Sequence, residues 1–144
     1  MDYDNPEIEE RWCNERRNEV IAYLKGQNLV HGQVSGWPAW HVAPYVSIWE
    51  VESKSNPGWL GWWAVAGDLP TDYVSAGVIK HPRDAVKAFA MRWRAAAEHM
   101  ARGKAPPGFR IGTPAEWPSL GPQLTSRAEL FQSWAANPEL WANI

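Results

Sequence analysis

A single cysteine, Cys13, occurs in 144 residues, so no disulfide can close within the chain and no Cys-x-x-Cys pair is available to grip a metal. A reducing, cytoplasmic setting is expected. Charge of one sign is scarce as well: fourteen Lys and Arg stand against sixteen Asp and Glu, a net charge of −2. Without a basic field to neutralise phosphates, no nucleic-acid partner is expected. No apolar run approaches the ~18 residues that a membrane helix needs, so no membrane partner is expected either. The first residues, from Met1 to Glu7, are acidic and lack the basic-then-apolar layout of a secretory signal, so export by that route is not expected. Missing too are Gly-x-Ser-x-Gly, Gly-x-x-x-x-Gly-Lys-Ser/Thr, Gly-x-Gly-x-x-Gly and His-x-x-x-His, which removes the commonest hydrolase, nucleotide, dinucleotide and zinc signals. The expectation is a chain without metal or cofactor, and with no familiar reaction signature.

What the chain has in excess is tryptophan, eleven copies spread from Trp12 to Trp141. A buried Trp removes on the order of 200 Å² from water, ~5 kcal/mol gross before ordering costs. Core formation alone accounts for most of them. The length fits one domain over 1–144, able to bury roughly 70% of its unfolded surface.

Along the chain, Asn5 can cap and Pro6 suits the first position of a helix over about 6–25. Ile8, Trp12, Val20, Tyr23 and Leu24 form its stripe and Gly26 is its expected stop. Cys13 lies at the seam of that helix and reads as a small buried hydrophobe, since neither a helix amino terminus nor a neighbouring His is there to activate it. Residues 26–44 hold three Gly and two Pro and read as a loop carrying Trp37, Trp40 and His41. From Tyr45 to Ser53 the pattern alternates, Tyr45, Ser47, Trp49 and Val51 on one face and Val46, Ile48, Glu50 and Glu52 on the other. Turn chemistry at Lys54-Ser55-Asn56-Pro57-Gly58 and a second β-rich run from Trp59 to Ala66 make an antiparallel hairpin over 45–66. Adjacent Trp62 and Trp63 must point to opposite sides of it. Gly67 to Asp72 reads as a tight acidic turn, with a third strand over Tyr73–Ile79.

A helix opens at Pro82, with Val86, Phe89, Trp93, Ala96, Ala97 and Met100 at spacings of three and four. Its basic residues, Arg83 to Lys104, read as a solvated face. Thr113-Pro114-Ala115-Glu116 has the form of a capping box before a short helix that Gly121 and Pro122 interrupt; a longer helix carries Leu124, Ala128, Phe131 and Trp134. The fold expected is α+β: a small antiparallel sheet of about three strands packed against helices from both ends of the chain.

The segments Gly61-Trp62-Trp63, Gly67-Asp68-Leu69-Pro70-Thr71-Asp72-Tyr73-Val74-Ser75, His81-Pro82-Arg83, Ile111-Gly112-Thr113-Pro114 and Trp117-Pro118 resemble those of a family of small bacterial proteins catalogued only as a domain of unknown function. The resemblance runs over nearly the whole chain. It implies a bacterial, single-domain protein and carries no activity or functional residue.

For a site, the residues left are aromatic and acidic: Asp68, Asp72, Tyr73, Trp63, Glu50, Glu52 and His41 are the candidate binding residues. Asp68 and Asp72 flank Pro70, and Glu50 and Glu52 share a strand face. Aromatic and acidic groups together suit a protein partner, or a cationic or sugar-like ligand. The expectation is a non-enzymatic binding protein working through this surface, of an immunity or antitoxin kind. The alternative is a small-ligand binder or hydrolase-like enzyme with a carboxylate pair and a loop His in a Trp-walled cleft.

Overall fold

In the computed structural model, which describes residues 2–144, helix α1 (Pro6–Gly26) begins where its cap stands. The Asn5 side chain accepts from the Glu7 N–H at 3.0 Å and Pro6 occupies the first helical position. The helix does not stop by means of Gly26, which is still helical. The left-handed residue is Asn28, at φ 57°, and the N–H groups of Asn28 and Leu29 donate back to the carbonyls of Lys25 and Leu24. That pair of bonds is a Schellman closure, with Asn in the glycine position because its short amide tolerates positive φ.

Four strands follow rather than about three: β1 (Trp40–Val42), β2 (Val46–Glu52), β3 (Leu60–Gly67) and β4 (Leu69–Ser75), antiparallel in the spatial order β1-β2-β3-β4. The extra strand, β1, lies in the stretch expected to be loop; its three residues pair with Ile48, Ser47 and Val46. A segment that short carries too few residues for alternation to show. Val34, from the same stretch, adds an isolated bridge to Val51.

The third expected strand also moves. The chain turns at Asp68 and re-enters the sheet at once, so β4 covers Leu69–Ser75 and not Tyr73–Ile79, and most of the expected acidic turn is strand. Pro70 is tolerated because β4 is an edge strand with a partner on one side only. The sharpness of the corner is set by Gly67, at φ 151°, where an added Cβ would stand 2.3 Å from the Tyr45 carbonyl oxygen. Only glycine lets the two backbones approach that closely.

The alternation expected for the hairpin holds. Trp49 lies opposite Ala64, and Val51 opposite Trp62, on the face that α1 covers. There Trp12, Cys13, Val20 and Leu24 join Val34, Trp49, Val51, Ala64 and Ala66 in one core. Ser47 makes that core specific: its hydroxyl donates to the Ala66 carbonyl and accepts from the Trp49 indole N–H, both at 2.8 Å and fully buried. Val46, Ile48, Trp63 and Val65 point to the other face and are fully buried as well.

The chain divides into two compact units, one ending at Pro82 and one running from Arg83 to Ile144. Helices α2 (Pro82–Ala101) and α3 (Trp117–Ala136) make up most of the second, which ends in a 3-10 turn at Pro138–Trp141. Its core stacks Phe89, Trp93, Phe131 and Trp134 at centroid separations of 5.8, 4.9 and 5.7 Å. Arg83 and Arg94 bind the Ala135 carbonyl and the Gln132 side chain, each at 2.8 Å. Helix α3 is continuous, contrary to the expected interruption at Gly121-Pro122. Pro122 lies near its start, so the one lost bond falls on the Pro118 carbonyl in the first turn. Glu116 makes half of the expected box, its carboxylate accepting from the Thr113 N–H and hydroxyl at 3.0 Å, while its own N–H donates to the Thr113 carbonyl in a turn ahead of α3.

Cys13 is fully buried. Burial first, and then the Glu9 carboxylate, pushes its thiol up to about 11, with Arg16 partly opposing. At pH 8 only about one thiol in a thousand is therefore thiolate. Iodoacetamide should leave Cys13 unmodified in the folded protein at pH 8 and label it readily in urea; equal rates in the two states would contradict this packing.

Candidate functional site

The candidate residues do not form one surface. Trp63 and Asp72 are both fully buried. The Trp63 indole N–H donates to the Ile79 carbonyl at 2.9 Å, and Asp72 accepts from the Tyr73 N–H at 2.8 Å. Tyr73 points to the opposite face and meets Tyr23 of α1 edge-on at 6.2 Å. Trp63 and Asp72 are thus closed to solvent, while Tyr73, half-buried, packs against the α1 core. The pairing of Asp68 with Asp72 does not arise, since β4 carries Asp72 into the interior while Asp68 stays exposed at the corner.

The remaining residues collect at opposite ends of the β2–β3 hairpin. Seven residues of β2 span about 20 Å, so Glu52 at one end and Asp68 beyond the other belong to separate sites. At the loop end, Glu50, Glu52, Gln33, Ser35, Gly58, Trp59 and Leu60 line a cleft of about 290 Å³. Trp59, in the loop just before β3, is 73% exposed. Bare indole on this scale is unusual in a chain that buries most of its tryptophans. Glu50 is exposed beside it. Ser35 Oγ is buried without a hydrogen-bond partner, and the backbone around it is fixed from behind: Arg17 of α1 donates to the Ser35 and Val34 carbonyls at 2.9 and 2.8 Å.

Glu52 has a structural task in this cleft. Its two carboxylate oxygens accept from the Gln33 N–H at 3.0 Å and the Gly58 N–H at 2.8 Å, tying the hairpin loop to the strap that precedes β1. Gly32 makes room for it, because a Cβ there would meet Glu52 Oε1 at 2.3 Å. These bonds favour the charged form. The Gln33 N–H, then the Gly58 N–H and lastly Lys54 hold the Glu52 carboxyl below its ordinary 4.5.

At the corner end, Asp68 and Gly67 face α1 across a second cleft of about 550 Å³, lined also by Tyr3, Ile8, Arg11, Trp12, Glu15, Arg16 and Pro44. The helical residues sit at spacings of three and four, so one face of α1 forms the wall. The Arg16 guanidinium lies 5.4 Å over the Trp12 ring and is held by Glu19 at 3.0 Å and Glu15 at 3.4 Å. His41 reaches neither cleft. It stacks on Trp12 at 6.4 Å, takes the edge of Trp37 at 5.4 Å and bonds Glu9 at 3.1 Å. Its role is to brace Trp12. Among the described residues no three His, Cys, Asp or Glu side chains gather to hold a metal ion.

Sequence reasoning missed Trp59 as a displayed residue and missed the whole α1 wall. The spacing of Ile8, Arg11, Trp12, Glu15 and Arg16 was there to be read, but a polar stripe beside an apolar one looks like an ordinary solvated flank.

A family model described as Domain of unknown function (DUF4826) matches residues 7–141, and the chain belongs to that family. No match to the chain was found among the curated proteins or the solved structures. The matched span runs through both compact units and includes both clefts apart from Tyr3.

The Glu52 bonds have a pH signature. A carboxyl held low when folded adds stability above its unfolded value of about 4.5, and that stability is lost as pH falls through the lower folded value. A ¹³C carboxyl titration should place the Glu52 midpoint below 4.5, and the urea midpoints of wild type and Glu52→Gln should converge as pH falls through that lowered midpoint. A midpoint at or above 4.5 would remove Glu52 as the tie.

Proposed function

We propose that the protein is a non-enzymatic, cytoplasmic bacterial binding protein that takes a cationic side chain of a protein partner into the cleft between Glu50 and Trp59. The observation that carries this reading is the 73% exposure of Trp59 in a cleft lined by two glutamates. An ammonium or guanidinium over an indole face gains ~0.5–2 kcal/mol, and a facing carboxylate adds charge complementarity. A Trp of this kind is the residue type that dominates binding energy at protein interfaces.

Rigidity also supports the reading. The cleft is closed behind by the Arg17 bonds and tied at its lip by Glu52, so little ordering cost falls on the binding step. A cytoplasmic setting agrees with a single buried thiol, and no helix among the described residues is long and apolar enough to cross a membrane. An immunity or antitoxin role, in which the partner is a toxin held inactive, is one form of this function.

The test is to capture partners with the full chain from cells of its source, identify them, and measure the purified pair by calorimetry. Trp59→Ala and Glu50→Lys should each weaken binding by about tenfold or more, while Asp84→Lys, on an exposed face of the second unit, should change it little. Unchanged affinity in folded Trp59→Ala and Glu50→Lys proteins would overturn the assignment.

A further inference from the structure

The cleft between α1 and the β3–β4 corner shares no lining residue with the Glu50–Trp59 cleft, and its chemistry is different. Its volume of about 550 Å³ lies within the ~300–1,000 Å³ range of small-molecule sites. Two guanidinium side chains, Arg11 and Arg16, stand on the helical wall. Asp68 stands on the opposite wall, on a corner whose backbone is fixed by the Asp68 N–H bond to the Tyr45 carbonyl at 2.9 Å and by the close approach at Gly67. Tyr3, Ile8, Pro44 and Trp12 supply apolar lining.

From this arrangement we propose that the cleft binds a free α-amino acid with an apolar side chain. The ligand carboxylate lies against the guanidinium of Arg16, its ammonium faces Asp68, and its side chain covers Tyr3 and Ile8. Three features favour a zwitterion over a simple anion or cation. Glu15 and Asp68 balance Arg11 and Arg16, so the lining carries no net charge to attract a singly charged molecule. Arg11 and Arg16 stand on one wall, with Glu15 beside them, and Asp68 stands on the other, so a cationic and an anionic group face each other across the cleft as the two ends of a zwitterion require. And the donor capacity of Arg16 is not used up: Glu19 at 3.0 Å and Glu15 at 3.4 Å both contact Nη2, and Nε is buried without a partner. A carboxylate beside this guanidinium replaces a long contact by charge-assisted hydrogen bonds. Its position is already set by Glu19 and by the Trp12 ring, which His41 braces from its other neighbours. Glu9, Glu15 and Glu19 are the other carboxylates along the wall; Glu9 is engaged by His41, and Glu15 and Glu19 by Arg16.

Calorimetry on the full chain with L-phenylalanine, L-leucine, 3-phenylpropionate and phenethylamine tests the proposal. At least one of the two amino acids should bind, and 3-phenylpropionate and phenethylamine, each lacking one charge, should bind at least about tenfold more weakly. Arg16→Gln should weaken the amino acid and leave phenethylamine unchanged, and Asp68→Asn should weaken the amino acid and leave 3-phenylpropionate unchanged. Asp68 is exposed and Arg16 half-buried, and circular dichroism checks that the variants fold. No binding of either amino acid at 10 mM (an order of magnitude above the ~1 mM scale of weak ligands), equal affinity for all four compounds, or variants that bind as wild type would each overturn it.

Discussion

Helix α1 lies on the sheet through one contact, in which Trp12, Cys13, Val20 and Leu24 close over Trp49, Val51, Ala64 and Ala66, and both clefts are set by it. Its amino-terminal half, leaving the core at Trp12, supplies the wall that faces Asp68. Farther along, Arg17 reaches out to hold the backbone of Val34 and Ser35, which closes the other cleft from behind. The bonds from Ser47 to Trp49 and Ala66 fix the register of the central strands beneath it. A one-residue slip there would turn every side chain of the hairpin to the wrong face and unmake both clefts together.

The hairpin sets the distance between the clefts, and with it the division of labour among the acidic residues. Glu52 is bound by backbone N–H groups, Asp72 is drawn inside, and Glu50 and Asp68 lie exposed at opposite ends. Each keeps different company: an exposed indole near Glu50, two guanidinium groups across from Asp68. A cationic group suits the first setting and a zwitterion the second. Two glycines make these geometries possible, Gly32 by admitting the Glu52 carboxylate and Gly67 by admitting the Tyr45 carbonyl.

Much of the architecture was legible in the sequence because its signals are local. Asn5-Pro6 marks the start of α1, the alternation of Tyr45–Ser53 gives β2 and its faces, and the opposed directions of Trp62 and Trp63 follow from the strand period alone. The errors fall where tertiary context overrides a local preference. Pro70 and its flanking acids have turn chemistry, yet on an edge strand they continue the sheet. Gly121-Pro122 has breaker chemistry, yet near a helix start the cost is one bond and α3 runs on. The candidate site was less legible, because burial decides it: Trp63 and Asp72 resemble Trp59 and Asp68 as residues, but the first two lie inside strands that bury them and the other two lie at the turns between strands. The expectation of one domain over 1–144 meets two compact units and a family match that spans both.

Trp59 therefore stands for the account as a whole, as the most exposed tryptophan, at the lip of an acidic cleft. The direct measurement is a titration of the eleven indole N–H signals in a ¹H–¹⁵N spectrum with a short lysine-rich peptide. The account predicts that the Trp59 indole shifts progressively and saturably while those of Trp49 and Trp63 stay in place, and that Glu50→Lys abolishes the shift. A Trp59 signal unmoved by the peptide, or moved equally in the Glu50→Lys protein, would contradict it.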